Sequence, residues 1–168
     1  MTAPTKNFVA QIQFTRPSNT TQYTAGDAVS DDATTATIGS FTLKGVASRM
    51  NGGGKILSVL LHKTDQDLTG ADFDVYFFDT APSGANFEDN AAVALTDAEV
   101  QACVGWVALT AAADGVSMGT GDLFGEPTGI AYECKGGTTN LYVVIVARGT
   151  YTPASAEVFT LRCGCEVN

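Results

Sequence analysis

Asn7-Phe8-Val9-Ala10-Gln11-Ile12-Gln13-Phe14 alternates without a break: Phe8, Ala10, Ile12 and Phe14 fall on one face, with Gln11 and Gln13 between them. A period of two is the mark of a half-buried β-strand. The same character returns over residues 37–49, with Phe41 and Leu43 on one face, and over residues 73–78, an aromatic run that ends at Asp79-Thr80-Ala81-Pro82-Ser83-Gly84. Residues 55–63 (KILSVLLHK) follow the break Asn51-Gly52-Gly53-Gly54 and are apolar on both faces. That pattern predicts a central strand covered on both sides. Residues 103–109, 130–134, 141–148 and 157–167 bring the total to about eight strands, with Gly136-Gly137 as a hairpin turn before Leu141. One helix is predicted, at Thr96-Asp97-Ala98-Glu99, where the threonine and the glutamate form a capping box. Residues 111–129 read as a long Gly-rich connection. With no βαβ rhythm, the fold expected is all-β: an antiparallel β-sandwich, jelly-roll-like, with one short helix. Residues 1–168 form a single domain with a short N-terminal arm, and no linker marks a boundary.

The composition narrows the partners. Of the residues, 45% are hydrophobic and only 16% charged, which suits a globular chain with a weakly charged surface. Nine Lys and Arg against eighteen Asp and Glu give a net charge of −9. Nucleic acid binding needs a cationic surface to release counterions, and anionic lipid attracts basic segments, so neither nucleic acid nor a membrane is an expected partner. No secretory leader or membrane span is visible, and synthesis in a cytoplasm is expected. Asn19-Thr20-Thr21 has the form of a glycosylation sequon, but without a leader it reads as a turn.

Candidate chemistry is sparse. Gly115-Val116-Ser117-Met118-Gly119 matches the GxSxG nucleophile elbow, which needs a strand before the serine, a helix after it and a later histidine. The one histidine, His62, precedes it and sits near the end of an apolar strand. His62 shares the period-two face of Leu60, Ser58 and Ile56, and reads as a core-margin residue bonded to backbone. Cys163 and Cys165 share a strand face with Phe159 and Leu161, while Cys103 and Cys134 stand alone. Residues two apart on a strand are poorly placed for a mutual disulfide, and paired zinc-ligand spacings are missing, so free buried thiols and no metal are expected. The acidic pairs Asp31-Asp32, Asp65 and Asp67, Asp72 and Asp74, and Glu88-Asp89 follow no EF-hand spacing and suit strand ends. Gly52-Gly53-Gly54-Lys55 lacks the phosphate-loop frame, because Ile56 follows the lysine. No catalytic residue, no cofactor and no enzymatic activity are expected.

Residues 15–27, TRPSNTTQYTAGD, resemble a segment that recurs near the N-terminus of small virion structural proteins of tailed bacteriophages. The order that follows is similar too: GGGKILSVLLHK, then FDVYFFDTAP, then Asp89-Asn90 and the Thr-Asp-Ala-Glu turn, so that the resemblance spans residues 8–109. It implies a capsid decoration or cement protein, a homotrimer of β-domains that binds the major capsid protein on the outer surface of the head. Arg16, Pro17, Asn19, Thr20, Tyr23 and Asp27 are the interaction residues expected from this reading. Arg16, beside the rigid Pro17, is placed to pair with a neighbour's carboxylate, and Tyr23 to supply amphipathic contact area. The opposing reading of the loop has it merely crossing the end of the sandwich, with Asp27 bonding its own backbone. Two other functions stay open, a tail or baseplate component of the virion and a carbohydrate-binding β-sandwich. The second is weakened because Trp106, between Val104 and Val107, reads as buried.

Overall fold

The computed structural model describes residues 6–33, 41–83, 87–117, 120–127 and 129–167. They form two antiparallel sheets. The strands are β1 (Lys6–Thr15), β2 (Thr42–Leu43), β3 (Gly53–Lys63), β4 (Phe73–Phe78), β5 (Cys103–Leu109), β6 (Gly115–Ser117), β7 (Gly121–Gly125), β8 (Ile130–Glu133), β9 (Leu141–Ala147) and β10 (Val158–Val167). One sheet runs β1-β10-β3-β7-β6, with β8 pairing the start of β3, and the other runs β2-β9-β4-β5. Each sheet interleaves early strands with late ones, the doubly wound order of a jelly roll. The all-β sandwich predicted from the alternation is the fold observed. Residues 1–5, where the expected N-terminal arm begins, and part of the expected strand at 37–49 lie outside the described residues.

Between the sheets the inward residues of both interdigitate. Phe14 stacks on Phe159 at 5.5 Å, and Phe73 meets Phe159 edge-on at 5.9 Å. These rings, with Ile56, Val59, Leu61, Val75, Phe77, Leu109, Val143 and Leu161, are buried. Burying a large apolar side chain is worth about 1.5–3 kcal/mol, so this layer dominates stability. Cys163 and Cys165 point into it beside Phe159 and Leu161, and all four cysteines are free thiols.

Four expectations need correction. First, β3 is central but not covered outside: Leu57 is exposed and Leu60 half-buried. Second, its alternation changes phase, because Gly164 pairs Ser58 whereas Cys165 pairs Ile56, leaving Leu57 as an extra bulged residue. Ile56 therefore faces the core, while Ser58, Leu60 and His62 face outward, and His62 bonds a carboxylate rather than backbone. Third, residues 111–129 are not a plain connection. They hold a second short helix, α2 (Ala111–Asp114), after the predicted α1 (Asp97–Ala102), and strands β6 and β7. Fourth, Gly136 and Gly137, at φ 65° and 71°, do form a tight turn. The turn joins β8 to β9 across the two sheets, however, and is not a hairpin.

The capping box is as predicted. Thr96 Oγ1 accepts from the Glu99 amide and the Glu99 carboxylate accepts from the Thr96 amide at 2.9 Å.

Candidate functional site

The motif that carries the resemblance leaves β1 at Thr15 and crosses one end of the sandwich before Gly26. Most of its distinctive side chains point inward. Arg16 is 1% exposed and Tyr23 is fully buried. Their partner is Asp89, far along the chain: Arg16 Nη2 donates to Asp89 Oδ2 at 2.8 Å, and Arg16 Nε donates to the Tyr23 hydroxyl at 2.7 Å. The Tyr23 hydroxyl in turn donates to Asp89 Oδ1, which also accepts the Ser30 amide. Arg16 Nη1 closes the fork on the Asn19 carbonyl at 2.9 Å. One carboxylate thus ties both limbs of the loop together. A buried charge pair of this kind is tolerated only because each polar atom finds a partner. Burial, then the adjacent Asp89 charge, holds the Tyr23 hydroxyl far above its usual pKa, so it stays a protonated donor.

A second buried network adjoins the first. Tyr23 stacks on Tyr151 at 6.3 Å with the rings 3° from parallel. The Tyr151 hydroxyl donates to Glu157 Oε2 at 2.6 Å, and Lys63 Nζ lies 3.4 Å from Glu157 Oε1 and 4.9 Å from the centre of the Tyr151 ring. Backbone bonds link the same elements: the Arg16 amide to the Glu157 carbonyl and the Tyr23 amide to the Tyr151 carbonyl. The Gly26 and Val29 amides donate to Ala147 and Ile145, so the loop runs along β9 beyond the short β2.

The expected interaction residues are therefore divided between inside and outside. Arg16 takes its carboxylate from its own chain, not from a neighbour. Tyr23 lends its ring to the interior, and Asp27 is buried, capping the Thr24 amide through Oδ2 at 2.6 Å. Pro17 and Asn19 are half-buried, and the Asn19 side chain accepts the Thr21 amide at 3.0 Å, which makes the sequon an Asx turn. Thr20 is exposed, together with Ser18, Thr21, Gln22, Thr24 and Ala25. The loop is a rigid frame presenting small hydroxyl and amide groups. Neither its inward arginine nor the aspartate that holds it was legible as a pair, since 73 residues separate them.

Elsewhere, Ser117 of the GxSxG string lies in β6, paired with Gly121 and preceded by α2, the reverse of the strand-then-helix order that a nucleophile elbow requires. Met118 and Gly119 lie outside the described residues. His62 Nδ1 sits 2.8 Å from Asp122 Oδ1 on the outer face of the large sheet. Among the described residues no three His, Cys, Asp or Glu gather in a geometry that would hold a metal ion, and no helix is long and apolar enough to cross a membrane. Trp106 corrects a further expectation: it is 51% exposed, on the outer face of the small sheet, stacked on its cross-strand partner Tyr76 at 6.0 Å. Comparison with known proteins yields no matching family model and no matching curated protein.

Proposed function

We propose that this protein is a capsid decoration protein, a homotrimer that binds the outer surface of an assembled phage head and stabilises it by bridging subunits of the major capsid protein. The observation that carries the reading is the loop of residues 17–25, whose exposed Ser18, Thr20, Thr21, Gln22 and Thr24 are held by a fully bonded buried network. A contact surface ordered before binding avoids the cost of ordering side chains and backbone at the interface. Only 16% of the chain is charged, which lowers the desolvation cost of extensive protein contact. Stabilisation follows from linkage: a ligand that prefers the assembled shell to free subunits shifts the balance toward the shell, and each trimer gains from effective concentration once one arm is bound. The role needs no catalysis, cofactor, nucleic acid or membrane.

Purified protein added to shells stripped of it should bind to saturation and raise the temperature at which they rupture. Sedimentation should give three times the chain mass. A Thr20→Arg/Gln22→Arg variant, altered only at exposed positions, should fold normally and bind shells at least tenfold more weakly. Equal rupture temperatures with and without the protein contradict the proposal.

A further inference from the structure

A cleft opens between β5, at the edge of the small sheet, and Glu126, Pro127 and Gly129, which lie between β7 and β8. It is open to solvent and offers about 420 Å³, and Trp106, Ala108, Asp114, Glu126, Pro127 and Ile130 are among the residues that line it. Ligand sites commonly span about 300–1,000 Å³, with apolar walls and a few placed polar groups. Here the walls are of two kinds. Trp106, backed by Tyr76, is the chain's one tryptophan and stays half exposed. Asp114 is held in place, its Oδ2 accepting the Thr110 amide at 2.7 Å and the Thr110 hydroxyl at 3.2 Å. Glu126 is exposed, and the stem of Lys55 runs beside Gly129.

We infer that this cleft binds a neutral oligosaccharide. A pyranose ring has one C–H face and a rim of hydroxyls. The C–H face carries partial positive charge and suits the electron-rich face of an indole. Its hydroxyls donate to carboxylates in charge-assisted bonds stronger than neutral ones. Two carboxylates in a chain of net charge −9 repel uronates and sialylated sugars, so the ligand is uncharged. A simple cation would satisfy the carboxylates but leave Ala108, Pro127 and Ile130 uncovered. On a particle bearing many copies, individually weak sites of this kind add through avidity.

The test pairs a glycan array with the emission of Trp106, which reports on the cleft alone because no other tryptophan is present. Wild type should bind a subset of neutral oligosaccharides on the array and give a saturable change in emission with each, while sialylated and uronate-bearing glycans stay dark. Trp106→Ala should lose array binding at least tenfold at a temperature where it stays folded, Trp106→Phe should keep part of it, and Glu126→Gln, at an exposed position, should weaken it several-fold with an unchanged unfolding midpoint. The inference is overturned if no glycan separates wild type from Trp106→Ala, or if tetra-arginine saturates the emission change and glycans do not. Shell binding is measured separately, so either result leaves the decoration role to its own test.

Discussion

Replacing Asp89 with alanine should destabilise the protein by about 3–5 kcal/mol, the cost typical of breaking a buried charge pair by removing one partner. The Asp89 carboxylate is 1% exposed and the Arg16 side chain is fully buried. Without the carboxylate, a guanidinium remains out of water with no counter-charge, and the Tyr23 hydroxyl and Ser30 amide lose their acceptor. Domains of this size are stable by about 5–15 kcal/mol, so the loss takes a large share of the total. Urea unfolding would show it as a fall in midpoint, and hydrogen exchange should show residues 16–30 losing protection first. Asp67→Ala is the control: that carboxylate caps an exposed turn at Thr69, and its removal should leave the urea midpoint nearly unchanged. A change at Asp89 no larger than the control would mean that the loop is held by its backbone bonds alone.

Alkaline pH should unfold the protein well before its backbone is at risk. Burial pushes the Cys134 and Cys165 thiols from 9.0 up to about 11, and holds Cys163 well above 9.0. Below pH 9 these thiols are neutral in both states and their contribution is complete. As pH rises past 9 the unfolded chain releases the protons while the folded chain keeps them, so unfolding is favoured, and the contribution is gone once pH passes about 11. For Cys165, 1% exposed, the step from 9.0 to about 11 corresponds to on the order of 2–3 kcal/mol. Tyr23 and Tyr151, pushed in the same direction chiefly by burial, steepen the fall. Stability measured by urea titration should be level from pH 7 to 8, begin to fall near 9 and fall steeply toward 11. A Cys163→Ala/Cys165→Ala variant should be less stable at pH 7, through lost packing, but show a shallower alkaline fall. An alkaline slope unchanged in that variant would assign the effect to Cys134 and the tyrosines.

Local chemistry was readable, and long-range pairing was not. The alternation of residues 7–14, the aromatic run at 73–78 and the Thr96 capping box each announce an element that the structure contains. Strands β6 and β7 escaped because Gly121-Asp122-Leu123-Phe124-Gly125 has no clean alternation. Glycine is required there by packing, not by turn geometry: a Cβ on Gly125 would come 2.6 Å from Leu109 Cδ2. The bulge at Leu57 has no sequence mark and puts Ile56 and His62, which period two places on one face, on opposite faces of the strand. Arg16 and Lys63 look like surface charges until Asp89 and Glu157 arrive from 73 and 94 residues away. Trp106 was recoverable. Val107 and Leu109 face the core, so strict alternation along β5 puts Trp106 outward, and its apolar neighbours misled.

These features give the recognisable loop two layers: an inner one that fixes its shape and an outer one available for contact. The proposed decoration role is tested most directly by a reconstruction of phage particles assembled in the presence of this protein. The account predicts jelly-roll density in threefold clusters on the outside of the head, with residues 17–25 turned toward the capsid subunits. Density in the tail or baseplate, or none on the shell, would contradict it.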